Sequence, residues 1–170
     1  GARAGAARVR LARRGGGASN VDNFYRCRFI GNRASDFGSG AAVNDGRKYV
    51  NCVFDGQVWD ANIRGIVYKN AATGAKIVNC TFVSGCPDCN TTGGFPVYNS
   101  ILLDGSAKGC SYYNCLFTKD WSTDATSVAD GATRLVAAAE LQLGADSRPL
   151  KGSAAIGAGS WTLYTNQFPV

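Results

Sequence analysis

The chain has 170 residues, one domain's worth, with 18 Lys and Arg against 12 Asp and Glu, 22 glycines, seven cysteines, no histidine and no methionine. The lack of histidine excludes hydrolytic motifs built on an imidazole and leaves few ligands for zinc. No stretch approaches the roughly 18 consecutive apolar residues of a membrane-crossing helix, and there is no apolar signal-peptide core. A chain without methionine is expected to be a processed product or a piece of a longer protein.

The positive charge sits at one end. Residues 1 to 33 hold eight arginines (Arg3, Arg8, Arg10, Arg13, Arg14, Arg26, Arg28 and Arg33) against Asp22 alone, a balance of +7, and the other 137 residues carry ten basic and eleven acidic groups, a balance of −1. Nucleic-acid binding by the whole body is therefore not expected, since a groove that tracks a phosphate backbone needs a basic stripe along its length. Residues 1–14 read as a basic terminal arm, either solvated or docked on an acidic partner surface. Their alternation of Ala and Arg also allows a short helix that caps an open end of the fold.

Residues 15–125 carry a repeat. Four times a cysteine precedes a phenylalanine by two positions: Cys27 and Phe29, Cys52 and Phe54, Cys80 and Phe82, Cys115 and Phe117. Asn51, Asn79 and Asn114 stand before three of these cysteines, and the spacings are 25, 28 and 35 residues. Cys and Phe at i and i+2 of a strand share one face, so both columns point inward while Arg28, Val53, Thr81 and Leu116 point away. Glycine-led apolar stretches ending at Asn precede the repeats: Gly17 to Asn20, Gly40 to Asn44, Gly65 to Asn70 and Gly94 to Asn99. Short pieces rich in Val, Ile, Tyr, Phe and Thr between turn residues are strands, and units too small to bury their own apolar face must stack. The expected class is all-β, a parallel solenoid of about four coils, with Cys, Phe and Asn aligned in ladders about 4.8 Å apart. Cys27, Cys52, Cys80 and Cys115 are expected to be packed thiols, whereas Cys86, Cys89 and Cys110 are assigned to loops. The corner asparagines are expected to satisfy their amides on one another or on turn backbone.

Residues 126–170 break the repeat and are expected to close the last coil. Arg134 to Leu141 reads as a strand and turn or a short helix, and Leu143, Pro149, Leu150, Ile156, Trp161, Leu163 and Phe168 are expected to form an apolar lid.

Phe29-Ile30-Gly31-Asn32 and its degenerate copies at 54–57, 82–85 and 117–120, with the glycine-led openings, resemble the repeats of polymorphic outer-membrane proteins. They are also similar to secreted right-handed parallel β-helix proteins of the pectate-lyase-like superfamily. Leu141 to Gly159 resembles the closing segment of such surface proteins, with Ala154 in place of the usual Pro and Gly157 in place of the usual Asp. The resemblance spans residues 15 to 160 and implies a right-handed parallel β-helix exported to the cell surface or the extracellular space. In an exported protein a loop disulfide between Cys86 and Cys89 is expected, which leaves Cys110 free or paired with another chain.

The superfamily includes polysaccharide lyases, hydrolases, adhesins and stalks. The hydrolase motifs (Asn-Thr-Asp, paired Asp, Gly-His-Gly, Arg-Ile-Lys) do not occur in this chain. Lyase chemistry would need Asp residues holding calcium and an Arg or Lys base. Asp36, Asp55, Asp60, Asp88, Asp120 and Asp124 follow the Cys-x-Phe strands, accompanied by Phe37, Trp59 and Trp121. Stacking would align them as an acid and aromatic ridge able to bind a glycan, with calcium possible and no catalytic residue assigned. The alternative is a set of ordinary turn aspartates with Trp covering coil edges. The function expected is a non-enzymatic extracellular or surface module with a structural, adhesive or assembly role. Its partners would be other protein chains or copies of itself, met through the N-terminal coil end and basic arm. The competing expectation is a fragment or relative of a calcium-dependent polysaccharide lyase or other carbohydrate-active β-helix enzyme.

Overall fold

The structure, a computed structural model, describes residues 11–14, 23–37, 41–42, 48–56, 58–59, 67–69, 75–85, 87–89, 94, 96–103, 109–120 and 126–167. The first strands are β1 (Leu11–Arg14), β2 (Asn23–Tyr25), β3 (Arg28–Ile30), β4 (Arg33–Phe37), β5 (Ala41–Ala42) and β6 (Lys48–Val50). Next come β7 (Val53–Asp55), β8 (Val58–Trp59), β9 (Val67–Lys69), β10 (Lys76–Val78), β11 (Thr81–Phe82) and β12 (Pro87–Cys89). The last are β13 (Pro96–Tyr98), β14 (Ile101–Leu102), β15 (Ser111–Tyr113), β16 (Leu116–Phe117), β17 (Val128–Ala129) and β18 (Arg134–Leu135). A 3-10 turn (Ala138–Glu140) and the helix α1 (Trp161–Gln167) complete the described elements.

The protein is all-β, built of parallel sheets. One six-stranded sheet, here sheet I, runs β2-β6-β10-β13-β15-β17, and a second, sheet II, runs β3-β7-β11-β14-β16-β18. Two three-stranded sheets, β1-β4-β8 and β5-β9-β12, take up the remaining strands. Neighbours in each sheet come from successive passes of the chain, so a strand of sheet I and the next strand of sheet II form one level.

A left-handed residue makes the corner between the two long sheets. Arg26 (φ 54°), Asn51 (54°), Asn79 (52°), Asn99 (47°) and Asn114 (53°) all occupy it. Asn is the side chain that enters this region most readily after glycine, which explains its recurrence before the Cys column. The corner N–H groups tie the levels together: Arg26 donates to the Val50 carbonyl (2.9 Å), Asn51 to Val78, Asn79 to Tyr98 and Asn99 to Tyr113 (each 3.0 Å). A second corner, after sheet II, uses glycine at positive φ in Gly31 (59°), Gly56 (60°) and Gly85 (75°).

The inward direction of Cys and Phe is as expected. Phe29, Phe54 and Phe82 stack at 4.7 Å and 4°, and with Cys52, Cys80, Tyr49, Ile77 and Tyr112 they belong to one buried core. The thiols hydrogen-bond within it: Cys80 Sγ donates to the Val78 carbonyl (3.4 Å) and the Tyr49 carbonyl (3.5 Å), and Cys52 and Cys115 make equivalent contacts. Burial pushes the Cys80 thiol well up and the Cys115 thiol up to about 12, so both remain protonated packing groups.

Four Cys-x-Phe repeats predict four strands per long sheet, and each sheet has six. The 35-residue interval hides a level at Asn99-Ser100-Ile101-Leu102, where Ser100 replaces Cys and Leu102 replaces Phe. Ser100 Oγ donates to the Tyr98 carbonyl (2.8 Å) and accepts from the Cys80 N–H (3.1 Å), keeping the small polar column intact. Gly94 to Asn99 therefore belongs to the main ladder rather than to the series of glycine-led openings. The successor of Val67–Lys69 in that smaller sheet is Pro87–Cys89.

The sixth level replaces the left-handed Asn by a wider turn. Asp130 Oδ1 accepts from the Asn114 N–H (3.0 Å), the Thr133 N–H (2.9 Å) and the Thr133 hydroxyl (2.8 Å), doing what a backbone carbonyl does at other corners. Partial burial opposes the charge, yet these donors prevail and hold the carboxyl below its usual 3.8. The folded state thus favours the ionised form: this stabilisation is complete above the unfolded value and is lost as pH falls through the folded one. Asp130→Asn is expected to cost about 1 kcal/mol at pH 7, discounted for solvent screening. In urea melts followed through acid, the variant and parent should converge once pH is below the folded value. An equal gap at every pH would contradict the role of the charge.

Cys110 corrects an expectation. It stands just before β15, fully buried in the main core two residues before Tyr112, so it is not open to pairing with another chain. Cys89 ends a strand, so the C-x-x-C motif is not a loop through its length. Cys86 lies outside the described residues, as do contacts of the Cys89 side chain, and so does the expected disulfide. Cys27, Cys52, Cys80 and Cys115 are free thiols. Residues 11–14 form a strand along β4, with Leu11 beside Arg33 and Arg14 beside Phe37, where a short helix was one expectation. Residues 1–10 lie outside the described residues.

The C-terminal segment is not a lid on the last level. From the 3-10 turn it makes a hairpin, bridged antiparallel at Leu143 and Pro149, whose tip reaches back to Asp55, Ser147 Oγ lying 3.5 Å from Asp55 Oδ2. It then returns along the outer face of sheet II. Leu141 packs there with Ile101 and Leu116, flanked by Ala154, Ala155 and Ala158, as a second small core. The outward residues of the Cys-x-Phe pattern do point away from the main interior, but Thr81 and Leu116 are buried all the same. Leu150, Ile156 and Trp161, expected in a lid, are exposed, while Phe168 lies outside the described residues.

Candidate functional site

The described acid and aromatic residues of the expected ridge fall on different sheets, with Asp88 in β12. Asp36 and Phe37 end β4 and Trp59 ends β8; the pairing of Ala34 with Trp59 puts all three in one three-stranded sheet. Asp55 belongs instead to sheet II, half-buried beside Ser147. Asp120 is exposed beyond β16, and β16 lies three strand spacings from β7, roughly 14 Å. Asp60, Trp121 and Asp124 lie outside the described residues. Among the described residues there is no group of three or more Cys, Asp or Glu side chains placed to hold a metal ion, and no helix is long and apolar enough to cross a membrane.

A different surface emerges at the end of the stack. Phe29, Phe54, Phe82, Leu102, Phe117 and Leu135 form one register column. The first five are buried, but Leu135 is 51 % exposed and Val128 of the neighbouring edge strand 52 %. Neither β17 nor β18 has a strand on its outer side among the described residues. An apolar interior column thus reaches solvent beside two strand edges carrying unpaired backbone groups. The Cys-x-Phe pattern does not point to this end, because Thr133-Arg134-Leu135 carries none of its letters. Its signal was the alternation of a small polar residue and an apolar residue at i and i+2.

The fold and these surfaces define an all-β protein of stacked parallel strands, stapled along one flank by its own C-terminal segment and apolar at one end. Comparison with protein-family models, with curated proteins and with solved structures finds no match to this chain.

Proposed function

We propose that the chain is a right-handed parallel β-helix module of the pectate-lyase-like kind, extracellular or at the cell surface. Its role is structural, adhesive or one of assembly rather than enzymatic, and it docks end-on with another protein chain, a second copy being the simplest partner. The observation that carries this reading is the exposure of Leu135 at the end of an otherwise buried column. Covering a half-exposed leucine and valine and pairing two strand edges would add both apolar burial and backbone hydrogen bonds. The successive levels and the single-residue corners support the solenoid, and the strong right-handed preference of parallel crossovers supports its hand. At the opposite end Phe29 is already buried, which favours the β17 and β18 end over the N-terminal end and basic arm as the docking face.

Sedimentation velocity over a wide concentration range tests the self-assembly form. The parent chain should move toward a dimer or longer species as concentration rises, and Leu135→Glu should remain a monomer with an unchanged unfolding transition. A parent chain that stays monomeric throughout, or a Leu135→Glu variant that assembles equally well, would overturn it.

A further inference from the structure

The C-terminal segment shows what the asparagine corner recognises. Asn99 Oδ1 accepts from the Ser160 N–H (2.9 Å) while its Nδ2 donates to the Ser160 carbonyl (2.8 Å). One level away, Asn114 Nδ2 donates to the Ala158 carbonyl (2.8 Å) and to Asn99 Oδ1 (2.8 Å). Successive corner amides therefore hold alternate residues of a peptide backbone, Asn99 through both a donor and an acceptor and Asn114 through a donor. After Ser160 the chain turns into α1, whose Trp161 and Tyr164 line a small pocket beside Asn79.

The ladder itself continues. Asn79 and Asn51 stand at the next two corners with the same backbone conformation, and among the described residues their side-chain amides make no hydrogen bond. Both face a cleft of about 450 Å³ between the corner and the hairpin tip at Asp146 to Pro149. Arg26, Arg28 and Arg148 also line it. Its one acid, Asp146, is taken up by Arg148 at 3.3 Å. Arg28 Nε is buried and has no hydrogen-bond partner among the described residues, an unmet donor of the kind that carboxylates satisfy. Arg26 occupies the left-handed corner held by Asn at the next four levels, a conformation that disfavours a long side chain.

We propose that the Arg26, Asn51 and Asn79 stretch of the corner binds an acidic peptide segment. The backbone of the peptide pairs with the two free amides as Ser160 pairs with Asn99, and its carboxylates meet Arg26 and Arg28. With two residues per corner and corners about 4.8 Å apart, the peptide advances about 2.4 Å per residue against about 3.3 Å in a strand, so its backbone is coiled, as it is through the turn and bend of residues 158–160. The inference is independent of end-on docking, which uses Leu135 and Val128 on another face.

The test is fluorescence anisotropy of the full chain with a labelled hexapeptide of alternating Asp and Ser, beside a neutral hexapeptide of Ser and a basic one of alternating Lys and Ser. Asn51→Gly with Asn79→Gly removes both amides while keeping the positive φ unstrained, and Arg28→Gln removes the guanidinium charge and its unmet Nε donor. The acidic peptide should bind saturably and the other two should not. The double glycine variant and Arg28→Gln should each weaken binding about tenfold, and added salt should weaken it further. The proposal is overturned if the acidic peptide does not saturate, or if the double glycine variant binds it as tightly as the parent chain. It is equally overturned if a sulfated oligosaccharide competes while the double glycine substitution is without effect, since that marks the arginines as a general polyanion patch.

Discussion

Replacing Phe54 by alanine is expected to lower the unfolding free energy by about 4 kcal/mol, the largest loss for a single substitution in this chain. The ring is fully buried and stacked on both faces, by Phe29 and by Phe82, each at 4.7 Å. Truncation forfeits the transfer free energy of the ring, both stacking contacts and the packing of the cavity left between two levels that backbone pairing holds apart. Because the strand spacing cannot close, relaxation into that cavity is limited. Phe54→Leu should cost only about 1.5 kcal/mol, since the same column already accommodates Leu102. Urea unfolding of the three proteins measures both values, and a loss below that of the leucine variant for Phe54→Ala would show that the column is not the main core.

Asn99→Ala is expected to cost about 3 kcal/mol and to loosen the C-terminal segment before the sheets. Asn99 combines a left-handed backbone (φ 47°) with three side-chain hydrogen bonds, two to Ser160 and one from Asn114. Alanine strains the backbone by about 1 kcal/mol and removes bonds worth about 1 kcal/mol each to the segment. Asn99→Gly separates these contributions: it keeps the conformation, loses the bonds, and should cost about 2 kcal/mol. Native-state hydrogen exchange should then show early exchange at Ala154, Ala158 and Leu163, with β10 and β11 unchanged. Exchange that rises uniformly across the sheets would mean that the asparagine holds the corner and not the segment.

The inward columns were legible because strand periodicity gives a residue's face without reference to its neighbours. Cys52 and Phe54, or Cys80 and Phe82, needed only the i, i+2 rule. The fourth and sixth levels were hidden by substitutions that preserve the physical role but change the letter. Ser100 and Thr133 supply the small hydrogen-bonding group and Leu102 and Leu135 the apolar one. Cys110 could have been placed by the same rule from Tyr112; its glycine-rich surroundings suggested a loop instead. The path of residues 141–160 was not legible, since its anchors are backbone groups and small alanines with no strong hydropathy signal. The acid and aromatic residues were spaced as if every repeat were equivalent, whereas the hidden β14 level adds one strand spacing between β7 and β16 and so between Asp55 and Asp120.

The returning C-terminal segment also changes how the stack comes apart. A simple row of repeats is held by contacts between adjacent units and can fray from either end one unit at a time. Here Ser147 reaches Asp55 on the second level, Ala158 reaches Asn114 on the fifth, and both belong to a segment continuous with the sixth. An inner level therefore cannot melt without disturbing contacts made to levels several steps away. The segment converts a nearest-neighbour chain of units into a cooperative one with long-range coupling, and rigidity along the stack axis becomes a property of the whole molecule.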